Sequence, residues 1–181
     1  RGDRVFPTSK AGQLAKTRTR LTGEIHHLDP ALDLADLVGG GDGTGTGKDR
    51  QGLDARSGKA ASNPMGYLNG VQPNRFTKSQ QRMIDGVFIP KGDGGKAAIP
   101  VSSSGLTVTG ISGADGGAWD LIRNGPVNSQ HSPELGGLKF GGHGDSLLGL
   151  HANAGITFDL DEAREVLGTD ELRFTARVGY F

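Results

Sequence analysis

An all-β sandwich built as a single domain over residues 1–181 is the fold class the sequence predicts, on three observations. Leu148, Leu150, Ala152, Ala154, Ile156, Phe158 and Leu160 occupy every second position, the period of a half-buried strand. Gly149, His151, Asn153, Gly155, Thr157 and Asp159 fall on the opposite face. A second run repeats the design, with Leu172, Phe174, Ala176, Val178 and Tyr180 inward and Arg173, Thr175 and Arg177 outward. From Met83 onward, short β-prone runs are separated by turn clusters, as in DGVFIP, KGDGG, AAIPV, SSSG, LTVTGI, SGADGG and AWDLI. That spacing suits a sandwich, and the two alternating strands are expected to pack into one core.

The remaining elements follow in chain order. Thr17 to Ile25 alternates with a polar outer face of Arg18, Arg20, Thr22 and Glu24, the pattern of an edge strand. LDLADLV at Leu32 to Val38 runs into Gly39 to Gly47, and glycine-rich polar sequence without a sustained period continues to about Arg82. Residues 39–82 are therefore expected to form one long Gly-rich loop or excursion. One short helix is expected in DLDEAREVLG, where Asp159 caps the free amides and Glu162, three residues on, completes a capping box. Gly168 supplies the left-handed stop. No internal repeat is present.

Charge and composition exclude several functions. Twenty Lys+Arg balance twenty Asp+Glu, so no net field gathers polyanions and nucleic acid is not an expected partner. No apolar stretch approaches the roughly 20 residues that span a bilayer, and RGDRVFPTSK lacks the apolar segment of a signal peptide. The sequence starts at Arg1 rather than Met, as a processed or excised chain would. With no cysteine there is no disulfide framework, thiolate metal site or cysteine nucleophile.

Several motif look-alikes fail on context. DGTGTGKD at Asp42 to Asp49 resembles a phosphate loop, but Asp42 stands at the first glycine position and Asp49 at the Mg²⁺-binding hydroxyl. The same stretch fails as an EF-hand because its twelfth position is Leu53 rather than Glu. Asp42, Asp49 and Asp54 are the carboxylates an irregular Ca²⁺ site would use. GDSLLG contains an esterase string at Ser146, yet His151 is the only histidine downstream and no Asp-x-x-His follows. His26 and His27 are adjacent and so point to opposite faces of a strand. Of the other histidines, His131, His143 and His151, the last two share parity with Asp145, and His143, Asp145 and His151 would need to converge in space to hold zinc. The opening Arg1-Gly2-Asp3 reads as a chain end.

GLHANAGITFDL at Gly149 to Leu160 and LRFTARVGYF at Leu172 to Phe181 together resemble the signature of the NPCBM family of carbohydrate-binding modules. The family pattern is Gly-x-His-Ala, an apolar residue, aromatic-Asp-Leu, then Phe-x-Ala-x-Val-Gly. Gly149, His151, Ala152, Ile156, Phe158, Asp159, Leu160, Phe174, Ala176, Val178 and Gly179 match it. A longer likeness, to planctomycete envelope proteins that carry such a module beside FecR-type segments, rests on Ala31 to Gly45 and Ile84 to Gly92. The resemblance implies a jelly-roll, galactose-binding-like fold, an extracytoplasmic location and glycan recognition. Where the family usually has an acidic residue two positions after the Val-Gly glycine, this chain has Phe181.

The expected function is thus a non-catalytic glycan-binding module. Trp119, the only tryptophan, is the candidate for stacking on a pyranose. Arg123, His143, His151 and Asn153 are the candidate donors and acceptors. The alternative is a structural or assembly protein of the cell surface, contacting neighbouring surface proteins or itself through open strand edges. Glycoside hydrolysis would need a positioned carboxylate pair. No spacing identifies one, so the chain is not expected to be an enzyme.

Overall fold

The computed structural model describes residues 30–62, 64, 66–67, 74–90, 96–111, 119–120, 122–126, 133–141, 146–150 and 154–179. Short strands dominate, in several antiparallel sheets, with two helices among the described residues. Helix α1 is Leu34–Val38 and α2 is Leu160–Leu167. A four-stranded sheet has the order β12 (Leu148–Leu150), β9 (Ile122–Asn124), β1 (Gln51–Leu53) and β2 (Ala60–Ser62). A three-stranded sheet sets β5 (Ile84–Ile89) between β13 (Gly155–Phe158) and β4 (Arg75–Lys78). Three two-stranded ribbons complete the set. They pair β3 (Gly66–Tyr67) with β8 (Trp119–Asp120), β6 (Ile99–Pro100) with β7 (Thr107–Val108), and β10 (Glu134–Leu135) with β11 (Leu138–Lys139).

One core joins α1 to both larger sheets. Leu37 and Val38 come from the helix, Leu53 and Ile122 from the four-stranded sheet, and Ile84, Val87 and Ile89 from β5, with Met83 and Ala55 beside them. Val38, Leu53 and Ile122 have no exposed surface, and each such aliphatic side chain contributes about 1.5–3 kcal/mol by leaving water. In β5, the central strand of its sheet, residues on both faces are largely buried, so the run lacks simple alternation. Ser103 N–H donates to Asp85 Oδ2 at 2.8 Å and Thr157 Oγ1 donates to the Val101 carbonyl, tying the β6–β7 ribbon to this sheet.

Four expectations need correction. The run from Leu148 to Leu160 is not one strand: β12 pairs with β9 in one sheet and β13 with β5 in the other. Its buried positions include Gly149 and Gly155, whereas Leu150 and Leu160 are 39% and 53% exposed. Gly155 lies under the Phe88 ring, which a Cβ would strike, and a hydrophobicity period does not register such backbone contacts. The segment 171–179 is not a strand, and Phe174 and Val178 are 75% and 88% exposed instead of inward. A second helix, α1, accompanies α2. Residues 39–82 contain β1 to β4, strands of two to four residues that are too short to show a period. The Thr17 to Ile25 strand lies outside the described residues.

The start of α2 agrees only half with a capping box. Asp159 Oδ1 accepts from Asp161 and Glu162 N–H at 3.0 and 3.1 Å, and Gly168 closes the helix at φ 67°. Glu162, however, reaches across the fold, accepting from Met83 N–H and Arg82 Nε, each at 2.7 Å. Asp159 N–H donates to the Met83 carbonyl at 3.0 Å, so the helix is pinned to the turn that opens β5. Glu162→Ala should lower stability by about 1–3 kcal/mol by orphaning the Met83 amide. Chemical denaturation would read it, and a change below about 0.5 kcal/mol would remove this pin from the account.

Candidate functional site

The glycine-rich loop after α1 is organised by one carboxylate. Asp33 caps α1, its Oδ1 accepting from Ala35 and Asp36 N–H at 2.9 and 3.3 Å. One turn of helix later Asp36 is 3% exposed, with Oδ2 accepting from Gly43 N–H at 2.7 Å and Oδ1 from Gly47 N–H at 2.5 Å. Burial of the carboxylate is sustained because both oxygens take backbone donors. A Cβ at Gly41 or Gly47 would collide with Asp36, which explains small residues at these positions. The loop that imitates a phosphate cradle thus wraps an anion supplied by the chain itself.

Beside this loop lies a cavity of about 240 Å³, whose walls include Asp33, Asp36, Asp49, Asn124, Ser146 and Leu147. Three backbone segments converge there. Arg50 N–H donates to the Asn124 carbonyl at 2.7 Å, Gly125 N–H to the Leu147 carbonyl at 2.8 Å, and Lys48 N–H to the Gly39 carbonyl at 2.9 Å. The Asn124 side chain donates from Nδ2 to the Lys48 carbonyl at 3.4 Å, leaving its Oδ1 as an acceptor. Asp49 is 64% exposed, with Arg50 Nε 4.0 Å away. The lining is polar and acidic, and it offers carboxylate and carboxamide groups to hydroxyl donors.

Of the sequence-derived site residues, Arg123 is placed in full, and it faces inward. It is 1% exposed, and its guanidinium donates from Nε to the Pro126 carbonyl at 2.8 Å and from Nη2 to the same oxygen. Burial, reinforced by the Arg50 cation and opposed by Asp49, lowers its pKa below the ordinary guanidinium value. Arg123 therefore belongs to the frame beneath the cavity, next to Asn124, rather than to its surface. Trp119 sits in β8, its backbone in register with Tyr67 of β3. His143, His151 and Asn153 lie outside the described residues.

The three aspartates weighed for Ca²⁺ sit on separate turns. Asp42 Oδ1 accepts from Thr44 N–H, Thr44 Oγ1 and Thr46 Oγ1 at 3.2, 2.5 and 3.0 Å. Asp54 Oδ1 accepts from Arg56 N–H, Ser57 N–H and Ser57 Oγ at 2.8, 2.8 and 3.0 Å. Both are Asx-type turns, and Asp49 alone of the three lines the cavity. Among the described residues no group of three or more His, Asp or Glu is arranged to hold a metal ion.

Sequence reasoning missed Asp33, Asp36 and Asn124. Asp33 was legible as a cap before LADLV, but nothing local marks Asp36, whose partners lie 7 and 11 residues away. Among the described residues no helix is long and apolar enough to cross a membrane. Comparison of the chain with protein-family models, curated proteins and solved structures finds no match.

Proposed function

We propose that this chain is a non-catalytic, extracytoplasmic carbohydrate-binding module of galactose-binding-like fold, with its sugar site in the cavity beside α1. The observation that carries the reading is the cavity's lining: Asp49 and the Asn124 carboxamide beside Ser146, in a space of about 240 Å³. Vicinal hydroxyls of a pyranose are recognised by planar groups of this kind, which accept and donate side by side. Trp119, the only tryptophan in the sequence, is the residue type that stacks on sugars, and its backbone is in register with Tyr67. The likeness of Gly149–Leu160 and Leu172–Phe181 to the NPCBM signature supports the same reading.

The acidic lining of Asp33, Asp36 and Asp49 favours neutral sugars over uronates or sialylated glycans, because like charges repel. A glycan array, run with Ca²⁺ and with chelator, should show neutral glycans retained. Asn124→Ala should weaken the best of them about tenfold by titration calorimetry, the equivalent of about 1.4 kcal/mol. Trp119→Ala tests the stacking arm separately. Unchanged affinity in Asn124→Ala would move the site elsewhere, and a blank array at high protein concentration would end the glycan reading. A surface-assembly role is the second reading, favoured by the exposed apolar side chains of Phe174 and Val178.

A further inference from the structure

Residues 172–178 lie in neither a helix nor a strand and have no strand partner among the described residues. Their sequence, Leu-Arg-Phe-Thr-Ala-Arg-Val, alternates apolar and polar as a half-buried strand does. Phe174 is nonetheless 75% and Val178 88% exposed, and no backbone amide or carbonyl from 172 to 178 makes a hydrogen bond among the described residues. Both ends are held. Before the segment, Arg164 Nε donates to the Asp170 carbonyl at 3.2 Å and Glu171 N–H donates to Thr169 Oγ1, also at 3.2 Å. After it, Gly179 rests against Leu135 of β10, so closely that an added Cβ would lie 2.7 Å from Leu135 Cδ1. A β-prone stretch whose backbone groups have no hydrogen-bond partner among the described residues is a template for another strand.

The chemistry of the segment selects its partner. We propose that residues 171–177 pair antiparallel with the same residues of a second copy of this chain, about a two-fold axis through Phe174. That register sets Phe174 opposite Phe174, Leu172 opposite Ala176 and Arg173 opposite Thr175. Glu171 of each copy stands opposite Arg177 of the other, so the symmetry makes the ion pair twice. A shift that moves the axis to Thr175 sets Arg173 against Arg177, two like charges directly opposed. An axis at Ala176 carries Glu171 past Arg177 and forfeits both ion pairs. The outer edge of β4 is a poor acceptor for this segment, because it carries Arg75 and Lys78 against Arg173 and Arg177 and because the turn at residues 56–58 lies against it, with Arg75 Nη2 donating to the Arg56 carbonyl at 3.2 Å. The pairing is isologous and closes at two subunits, and the exposed Leu138 of β11 extends apolar surface near the Gly179 end.

The chain has no cysteine, which makes the register directly readable. Sedimentation velocity should give a concentration-dependent dimer, and F174C should cross-link to itself on mild oxidation while A176C, opposite Leu172, should not. Arg177→Glu should weaken the dimer about tenfold by opposing two glutamates, and the double swap E171R/R177E should restore it. These side chains are exposed, so the far-ultraviolet circular dichroism of each variant should match the parent. A monomer at every concentration, equal cross-linking of F174C and A176C, or a double swap no tighter than Arg177→Glu alone would each overturn the proposal. None of these results depends on sugar binding, so the glycan reading stands or falls separately.

Discussion

Asp36→Ala should release the loop from Gly39 to Gly47 and cost the fold about 3–5 kcal/mol. A buried amide, Gly43 N–H, and a half-buried one, Gly47 N–H, lose their acceptor at once. Hydrogen bonds to a charged group contribute about 1.5–3 kcal/mol each, and a polar group left buried without a partner adds to the loss. Asp36→Asn keeps one acceptor oxygen but turns an NH₂ toward the other amide, so it should recover only part of the loss. Equilibrium unfolding in urea would give the magnitude, and amide hydrogen exchange at Gly43 and Gly47 would show whether the loop opens locally first. Because Asp36 and Gly47 both line the cavity, the affinity of the sugar site proposed there should fall with the same variant. Loss of binding without loss of loop protection would mean that Asp36 contacts the ligand rather than shaping its wall.

Gly52→Ala should be the most damaging single methyl among the described glycines, costing about 3 kcal/mol or more. Gly52 stands opposite Arg123 where β1 meets β9, inside the four-stranded sheet. Its Cβ would fall on the Ile122 carbonyl oxygen and 2.7 Å from the Arg123 Cα. Backbone atoms of a central strand pair cannot swing aside as a flexible side chain does, so the strands must separate or lose register. Separation would also disturb Arg123, whose guanidinium is fixed to the Pro126 carbonyl. Loss of soluble expression, or a urea midpoint far below that of an edge control such as Ser62→Ala, is the expected result. A midpoint equal to the control's would mean that β1 and β9 do not approach this closely.

What the sequence made legible was short-range chemistry. The α2 cap at Asp159 and its stop at Gly168 involve partners within a few residues, and both stand. The β-prone runs after Met83 correspond to β5 through β9, because turn residues punctuate them locally. The partner of each strand was not legible. Alternation at Leu148–Leu160 reports that one face is apolar, but β12 and β13 are assigned to different sheets by strands that lie far away in sequence. At the candidate site the same limit applies. Asp36 and Asn124 acquire their roles from loops brought together by β1, β9 and β12, whereas Arg123, singled out as a polar donor, is turned inward by its strand position.

The placement of β13 has a consequence during synthesis. Strand β5 emerges long before the strand that covers its second edge, since Phe88 waits for Gly155 and Val87 for Ile156. At roughly 5–20 residues per second, the nascent chain holds Ile84, Val87 and Ile89 incompletely shielded for several seconds. Over that interval β4, emerging just ahead, is the neighbour already present in its sheet among the described residues. Growing chains of this protein should therefore engage holdase chaperones at lengths between the completion of β5 and the arrival of β13, and be released once residue 158 clears the exit tunnel.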